Sequence, residues 1–214
     1  MSGAAPTIAI VDYGMGNRRS VEKAFAHVGA RPVVTGDHDE IRDADGVVVP
    51  GVGAFPRAME HLRALGLDEV IVERAESGVP LLGICLGMQL LFERSVEVEP
   101  AEGLGLLRGD VRPLAAGDLR VPHIGWNGVR FERACRLTAA LPQEAAFYHV
   151  HSLVPHPADA EDVLGTAEYG ERFVSAVARE NVFGVQFHPE KSSSAGLRLL
   201  ASFSAACDRE RAVA

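Results

Sequence analysis

The chain has 214 residues, 47% of them apolar and 23% charged, a balance that supports a folded core and excludes a disordered or low-complexity protein. Its 29 acidic against 21 basic residues leave a net charge of −8, the wrong sign for a phosphate-binding face, so no nucleic-acid partner is expected. Three cysteines lack paired spacing, residues 1–6 lack the layout of a signal peptide, and no apolar run reaches membrane-spanning length; the expectation is a cytoplasmic chain with no membrane partner.

Thr7–Val11 reads as a first strand, followed by a turn over residues 12–17. Val21, Ala24, Phe25 and Val28 then fall at helical spacing, with Gly29 as the stop and Asn17 as the N-cap. Gly14 and Gly16 resemble the start of a dinucleotide fingerprint, but Arg19 stands where its third glycine belongs. No nucleotide is expected there, and no cofactor elsewhere. Residues 31–34 and 46–49 give two more strands. The second leads into Pro50-Gly51-Val52-Gly53-Ala54-Phe55, a glycine-bracketed loop whose backbone N–H groups at Val52 and Gly53 are candidate donors to a developing oxyanion. A plain strand-to-helix turn accounts for the same residues, and the loop by itself does not separate the two.

Phe55, Met59 and Leu62 repeat with helical spacing up to Gly66, and Leu67, Val70, Ile71 and Ala75 do so up to Gly78. Residues 81–84 form a short apolar strand, and a helix is expected from Leu86 to Arg94. Cys85 stands at the turn between them, flanked by Gly83 and Gly87. This is a nucleophile elbow with cysteine in place of serine, and Leu86, the residue after the nucleophile, supplies a further candidate oxyanion N–H. The elbow puts the thiol at the carboxyl edge of the sheet and the start of a helix, where the dipole favours negative charge. A buried structural cysteine is the alternative; the paired glycines argue against it.

Strands alternating with helices up to residue 93 imply an α/β fold with a parallel sheet covered on both faces. From Gly103 onward short segments follow at 109–113, 123–131, 147–153, 163–169, 173–179 and 182–187, read as antiparallel additions with a hairpin turn at Glu180 and Asn181. A closing helix turns Leu199, Leu200, Phe203 and Cys207 inward. With no linker or repeat, residues 1–214 are expected to form a single domain, with 1–6 as a flexible tail.

A thiol nucleophile needs a base and a group to orient it. Val185 and Phe187 alternate with Gly184 and Gln186, and His188 precedes a proline, which keeps it extended. In an extended segment His188 and Glu190 share a face, so the carboxylate takes one imidazole nitrogen and leaves the other for Cys85. The acid follows the histidine, unlike the order in α/β-hydrolases. His149 and His151, with His156 nearby, raise a zinc reading, but no cysteine or carboxylate lies at matching spacing and no metal is expected.

Gly83-Ile84-Cys85-Leu86-Gly87-Met88-Gln89 and His188-Pro189-Glu190 resemble the motifs of the class I (triad) glutamine amidotransferases, whose fold is flavodoxin-like. Residues 12–17, 50–55, 122–127 and 186–192 look like the histidine-pathway branch of that family, the glutaminase subunits of imidazole glycerol phosphate synthases, nearly end to end. The resemblance decides the loop at Val52 in favour of an oxyanion strand. It implies glutamine hydrolysis through a thioester, with Gln89, Glu97, His151 and Ser152 around the glutamine. It also implies a heterodimer with a cyclase subunit, a TIM barrel that consumes the ammonia. Asn17, His123, Trp126, Asn127 and Lys191 are similar to interface and ammonia-passage positions. Arg18 stands where the family usually has leucine, and Leu153 where an aromatic residue is common.

Overall fold

The computed structural model describes residues 4–97 and 100–208. Part of the expected tail, residues 1–3, lies outside them. Pro6 is already tied down, its carbonyl accepting the Arg31 N–H at 2.9 Å.

The first half runs β1 (Thr7–Val11), α1 (Arg18–His27), β2 (Arg31–Thr35), α2 (His38–Asp43), β3 (Gly46–Gly51), α3 (Phe55–Ala64), α4 (Leu67–Glu76), β4 (Leu81–Cys85) and α5 (Leu86–Leu90). It continues through β5 (Phe92–Ser95), β6 (Ala101–Glu102), β7 (Leu107–Pro113), β8 (His123–Phe131), β9 (Glu144–His151), β10 (Leu153–Pro157), β11 (Val163–Tyr169), β12 (Glu171–Arg179), β13 (Val182–Val185) and α6 (Ser193–Ala206). A nine-stranded sheet has the order β2-β1-β3-β4-β13-β12-β11-β8-β9. Pairing is parallel from β2 to β13 and antiparallel from β13 to β9.

Alternation along the strands decides which helices cover which face. Ile8, Ile10, Val48, Leu82 and Ile84 pack with Val21 and Phe25 of α1 and Leu199, Leu200 and Phe203 of α6. Ala9, Val11, Val47, Val49 and Leu81 pack with Ile41, Phe55, Leu62, Val70 and Ile71 from α2, α3 and α4. Cys207 is buried in the first of these layers, as expected.

Several features differ from the sequence reading; the strand expected over 147–153, for one, divides at Ser152 into β9 and β10, which lie in different sheets. The helix expected over 86–94 ends at Leu90; β5 then pairs with β7, Phe92 opposite Leu107, and joins a four-stranded sheet of order β10-β7-β5-β6. Leu90, Leu91 and Phe92 are all fully buried, so no helical polar face exists and distant pairing decides the conformation. The short helix α2 was absent from the reading because Ile41 is its one buried residue; Asp37 starts it by accepting the Asp39 and Glu40 N–H groups at 2.9 and 3.0 Å.

Candidate active site

The carboxyl ends of β1, β3, β4 and β13 open on one rim, the usual ligand edge of a parallel sheet. Cys85 closes β4 with φ 56° and ψ −112°, a backbone conformation rare for a non-glycine residue. The flanking glycines make that turn possible. A Cβ on Gly83 would meet the Gly87 carbonyl at 2.6 Å, and one on Gly87 would meet the Val49 carbonyl at 1.8 Å.

His188 and Cys85 line the same pocket, close enough for the sulfur to shift the titration of the ring. Its Nδ1 lies 3.0 Å from Glu190 Oε1, with both side chains almost wholly buried. With Nδ1 on the carboxylate, Nε2 is the nitrogen left for sulfur. Burial opposes a charge on this ring, but the hydrogen bonds and charges of Cys85 and Glu190 outweigh it and raise its pKa to about 10. The backbone is fixed as well: His188 N–H donates to the Tyr148 carbonyl at 2.9 Å, and Ser192 Oγ–H donates to the His188 carbonyl at 2.7 Å.

Glu190 reaches the imidazole by a different route from the one expected. His188 is extended, but Pro189–Lys191 forms a single 3-10 turn, so the carboxylate folds back on the ring rather than sharing a strand face with it. Proline suits the first position of such a turn because it needs no N–H partner there.

A pocket of about 280 Å³ opens over the sulfur, lined among others by Val52, Gly53, Leu86, Gln89, Glu97, His151, Ser152 and Lys191. All the expected oxyanion and glutamine-binding residues thus face one cavity. Gly51 stands opposite Cys85 in the β3–β4 register, which brings the Val52 loop beside the nucleophile. Glu97 Oε2 accepts the Phe55 N–H at 3.0 Å, so this carboxylate also caps α3. Gln89 is buried rather than exposed; its Nε2 donates to Gln186 Oε1 at 2.9 Å and to the Leu153 carbonyl at 3.3 Å.

Of the expected interface residues, Trp126 is 56% exposed, beside Ile124 at 59%. His123 is buried instead, stacked on Tyr169 with ring centroids 4.0 Å apart. Its neighbour Asn127 donates Nδ2–H to the Glu168 carbonyl at 2.9 Å. Asn17 precedes α1 at the N-cap position, but its side chain makes no capping hydrogen bond. At the next residue Arg18 pairs with Asp12.

Of the histidines in the zinc reading, His149 and His151 pack with His123, while His156 is exposed on β10. His151 Nδ1–H donates to the Leu153 carbonyl at 3.0 Å, so its Nε2 accepts from His123 Nδ1–H at 2.9 Å. His149 Nδ1–H donates to the Phe147 carbonyl at 3.1 Å, and Ser175 Oγ–H donates to its Nε2 at 2.9 Å. Burial lowers the pKa of His149 to about 3 and of His151 to about 4, with the neighbouring histidines adding to the effect. These rings are neutral donors and acceptors at pH 7.

Two residues at the site escaped the sequence reading. Tyr13, buried, donates its hydroxyl to the Pro50 carbonyl at 2.7 Å and so anchors the loop before Val52. Burial, together with Cys85 nearby, raises its pKa. Gln186 approaches the Cys85 sulfur with Nε2 at 3.7 Å. Its alternation with Phe187 was the available signal, since it shares a face with His188.

The glutamine amidotransferase class-I family model matches residues 9–206. Over 196 residues the chain is 54% identical to imidazole glycerol phosphate synthase subunit HisH of Moorella thermoacetica, covering 92% of this chain and 93% of that one. Identity to the Bacillus cereus protein of the same name is 51% over 196 residues, with the same coverage. The solved structure of PurLQS from Thermotoga maritima superposes with a TM-score of 0.75 at 21% identity, covering 93% of this chain and 97% of that chain, a likeness of fold. With a cysteine elbow, a histidine–glutamate pair and this family match over nearly its whole length, the chain belongs to the class I glutamine amidotransferases.

Proposed function

We propose that this chain is the glutaminase subunit of an imidazole glycerol phosphate synthase, releasing ammonia from glutamine for histidine biosynthesis, with residues 1–214 working as one cytoplasmic domain. The observation that carries the reading is the Cys85–His188–Glu190 array at the floor of a pocket. Relatives about half identical and bearing that subunit's name support the pathway.

Cys85 sulfur attacks the side-chain carboxamide carbon of glutamine, and the carbonyl electron pair moves onto oxygen, where N–H groups at Val52, Gly53 and Leu86 receive it. His188 holds the thiol proton and passes it to the departing nitrogen; the C–N bond breaks, leaving a thioester and ammonia. His188 then takes a proton from water, hydroxide adds to the thioester, and the C–S bond breaks to give glutamate and the free sulfur. Glu190 keeps the ring oriented throughout. Glu97, Gln89 and the backbone at His151 and Ser152 hold the amino-acid end of the substrate.

Ammonia is protonated in neutral water and loses its nucleophilicity, so it is used behind a water-excluding interface. The consumer is a cyclase subunit, a TIM barrel docked on the rim that carries Asn17, Trp126, Asn127 and Lys191. The test is ammonia release from glutamine, with and without the candidate cyclase, by wild type and Cys85→Ala. Cyclase-stimulated release abolished by the substitution supports the reading; release that survives it overturns the role of Cys85.

A further inference from the structure

We propose that Gln186 is a further catalytic residue, a neutral donor to the Cys85 sulfur, and that Gln89 is the positioning residue that holds it in that role. The proposal rests on Cys85 being the nucleophile of the glutaminase described above.

The orientation of both amides follows from what their neighbours can do. The Leu153 carbonyl only accepts, so the end of Gln89 that faces it, at 3.3 Å, is the NH2. That nitrogen's second hydrogen points to Gln186 at 2.9 Å, where the partner atom must be the carbonyl Oε1. The Gln186 NH2 is thereby turned toward Cys85 Sγ, 3.7 Å away. Reversing Gln186 would set two NH2 groups against each other.

The backbone holds the same arrangement. Gln186 is wholly buried, and its N–H donates to the Ser175 carbonyl at 2.9 Å, extending the β12–β13 pairing by a residue. Phe187 points the other way and stacks on Phe147 with ring centroids 3.9 Å apart. Gln186 and His188, two positions apart where the chain bends beyond β13, both approach the Cys85 sulfur.

The Val150 carbonyl also lies 3.7 Å from the sulfur, where it accepts from a thiol and repels a thiolate. Gln186 has the opposite effect. Its N–H favours the anion whatever the protonation state of His188. It therefore acts twice: when the sulfur attacks, and when the C–S bond of the thioester breaks and the electron pair returns to sulfur.

The test is the pH profile of Cys85 alkylation by iodoacetamide in the full chain, followed by mass spectrometry from acid pH up to the plateau. Gln186→Met fills the space without a donor. Gln186→Glu keeps the acceptor for Gln89 and guards against a packing artefact. Gln89→Met frees the Gln186 amide to turn. In Gln186→Met the pH of half-maximal alkylation should rise by about one unit, a tenfold loss on the rising limb, with a larger rise in Gln186→Glu and a smaller one in Gln89→Met, while the plateau rates stay within about twofold. An unchanged profile, or equal slowing at every pH, would overturn the proposal. Its failure is distinct from that of the glutaminase reading, in which wild type itself would release no ammonia from glutamine.

Discussion

Gly51 faces Cys85 directly across the β3–β4 register, and the space beside it is already taken. A Cβ at Gly51 would lie 2.7 Å from the Tyr13 hydroxyl, 2.9 Å from Leu86 Cβ and 3.0 Å from the Gly87 nitrogen. Gly51→Ala is therefore expected to push apart the Val52 loop and the start of α5, the two candidate sources of oxyanion donors. We expect a loss of about 1–3 kcal/mol in urea unfolding and a fall in glutaminase kcat of at least about tenfold.

Histidine NMR tests the coupling in the triad. The His188 ring should remain protonated well above neutral pH and titrate near 10. Removing a partner, in Cys85→Ala or Glu190→Gln, should bring the midpoint down, because burial then acts against less compensation. This folded pKa lies above the unfolded one, so the stability it contributes is full below about pH 6.5 and is lost as pH rises toward 10. A His188 resonance that titrates near 6.5 in wild type would contradict the arrangement.

The histidine cluster has the opposite pH dependence. His149 and His151 are held neutral in the fold, with pKa values of about 3 and about 4, whereas unfolded histidine protonates near 6.5. Stability present above that value should fall as pH drops from about 6.5 toward 4, by about 1.4 kcal/mol per pH unit for each ring. Urea unfolding at several pH values checks this, and His149→Gln should remove about half of the slope.

Trp126 provides a test of the proposed docking rim. More than half exposed at 56%, it meets Tyr148 edge-on and takes no part in the core. Trp126→Ala should leave the melting temperature unchanged within a degree or two. It should weaken association with the cyclase by at least about 2 kcal/mol, roughly thirtyfold, in a titration. Ile124, Val121 and Leu119 are exposed on the stretch of chain just before it, and a smaller loss is expected for each of them.

Much of this site was legible because its signals are local. The Gly83–Cys85–Gly87 spacing is a steric requirement of one turn, and the glycine contacts at 2.6 and 1.8 Å show the chain has no alternative there. Likewise His188 and Glu190 are two residues apart, close enough to meet by either route; only the 3-10 turn was misread. The helix at 86–94 was misread because its apolar run fits a helix or a buried strand equally, and Leu107, some fifteen positions on, decides between them.

By itself the sequence determined four of the five parallel strands, though not β13, which it read among the antiparallel additions, together with the elbow that presents Cys85 and the base–acid pair, because period-two burial and glycine sterics act over a few residues. Only the tertiary structure decided what surrounds the sulfur. Val150 comes from 65 positions away and Gln186 from 101, brought there by the order of strands across the sheet. Contacts at that separation depend on which strands become neighbours, and no local periodicity encodes it.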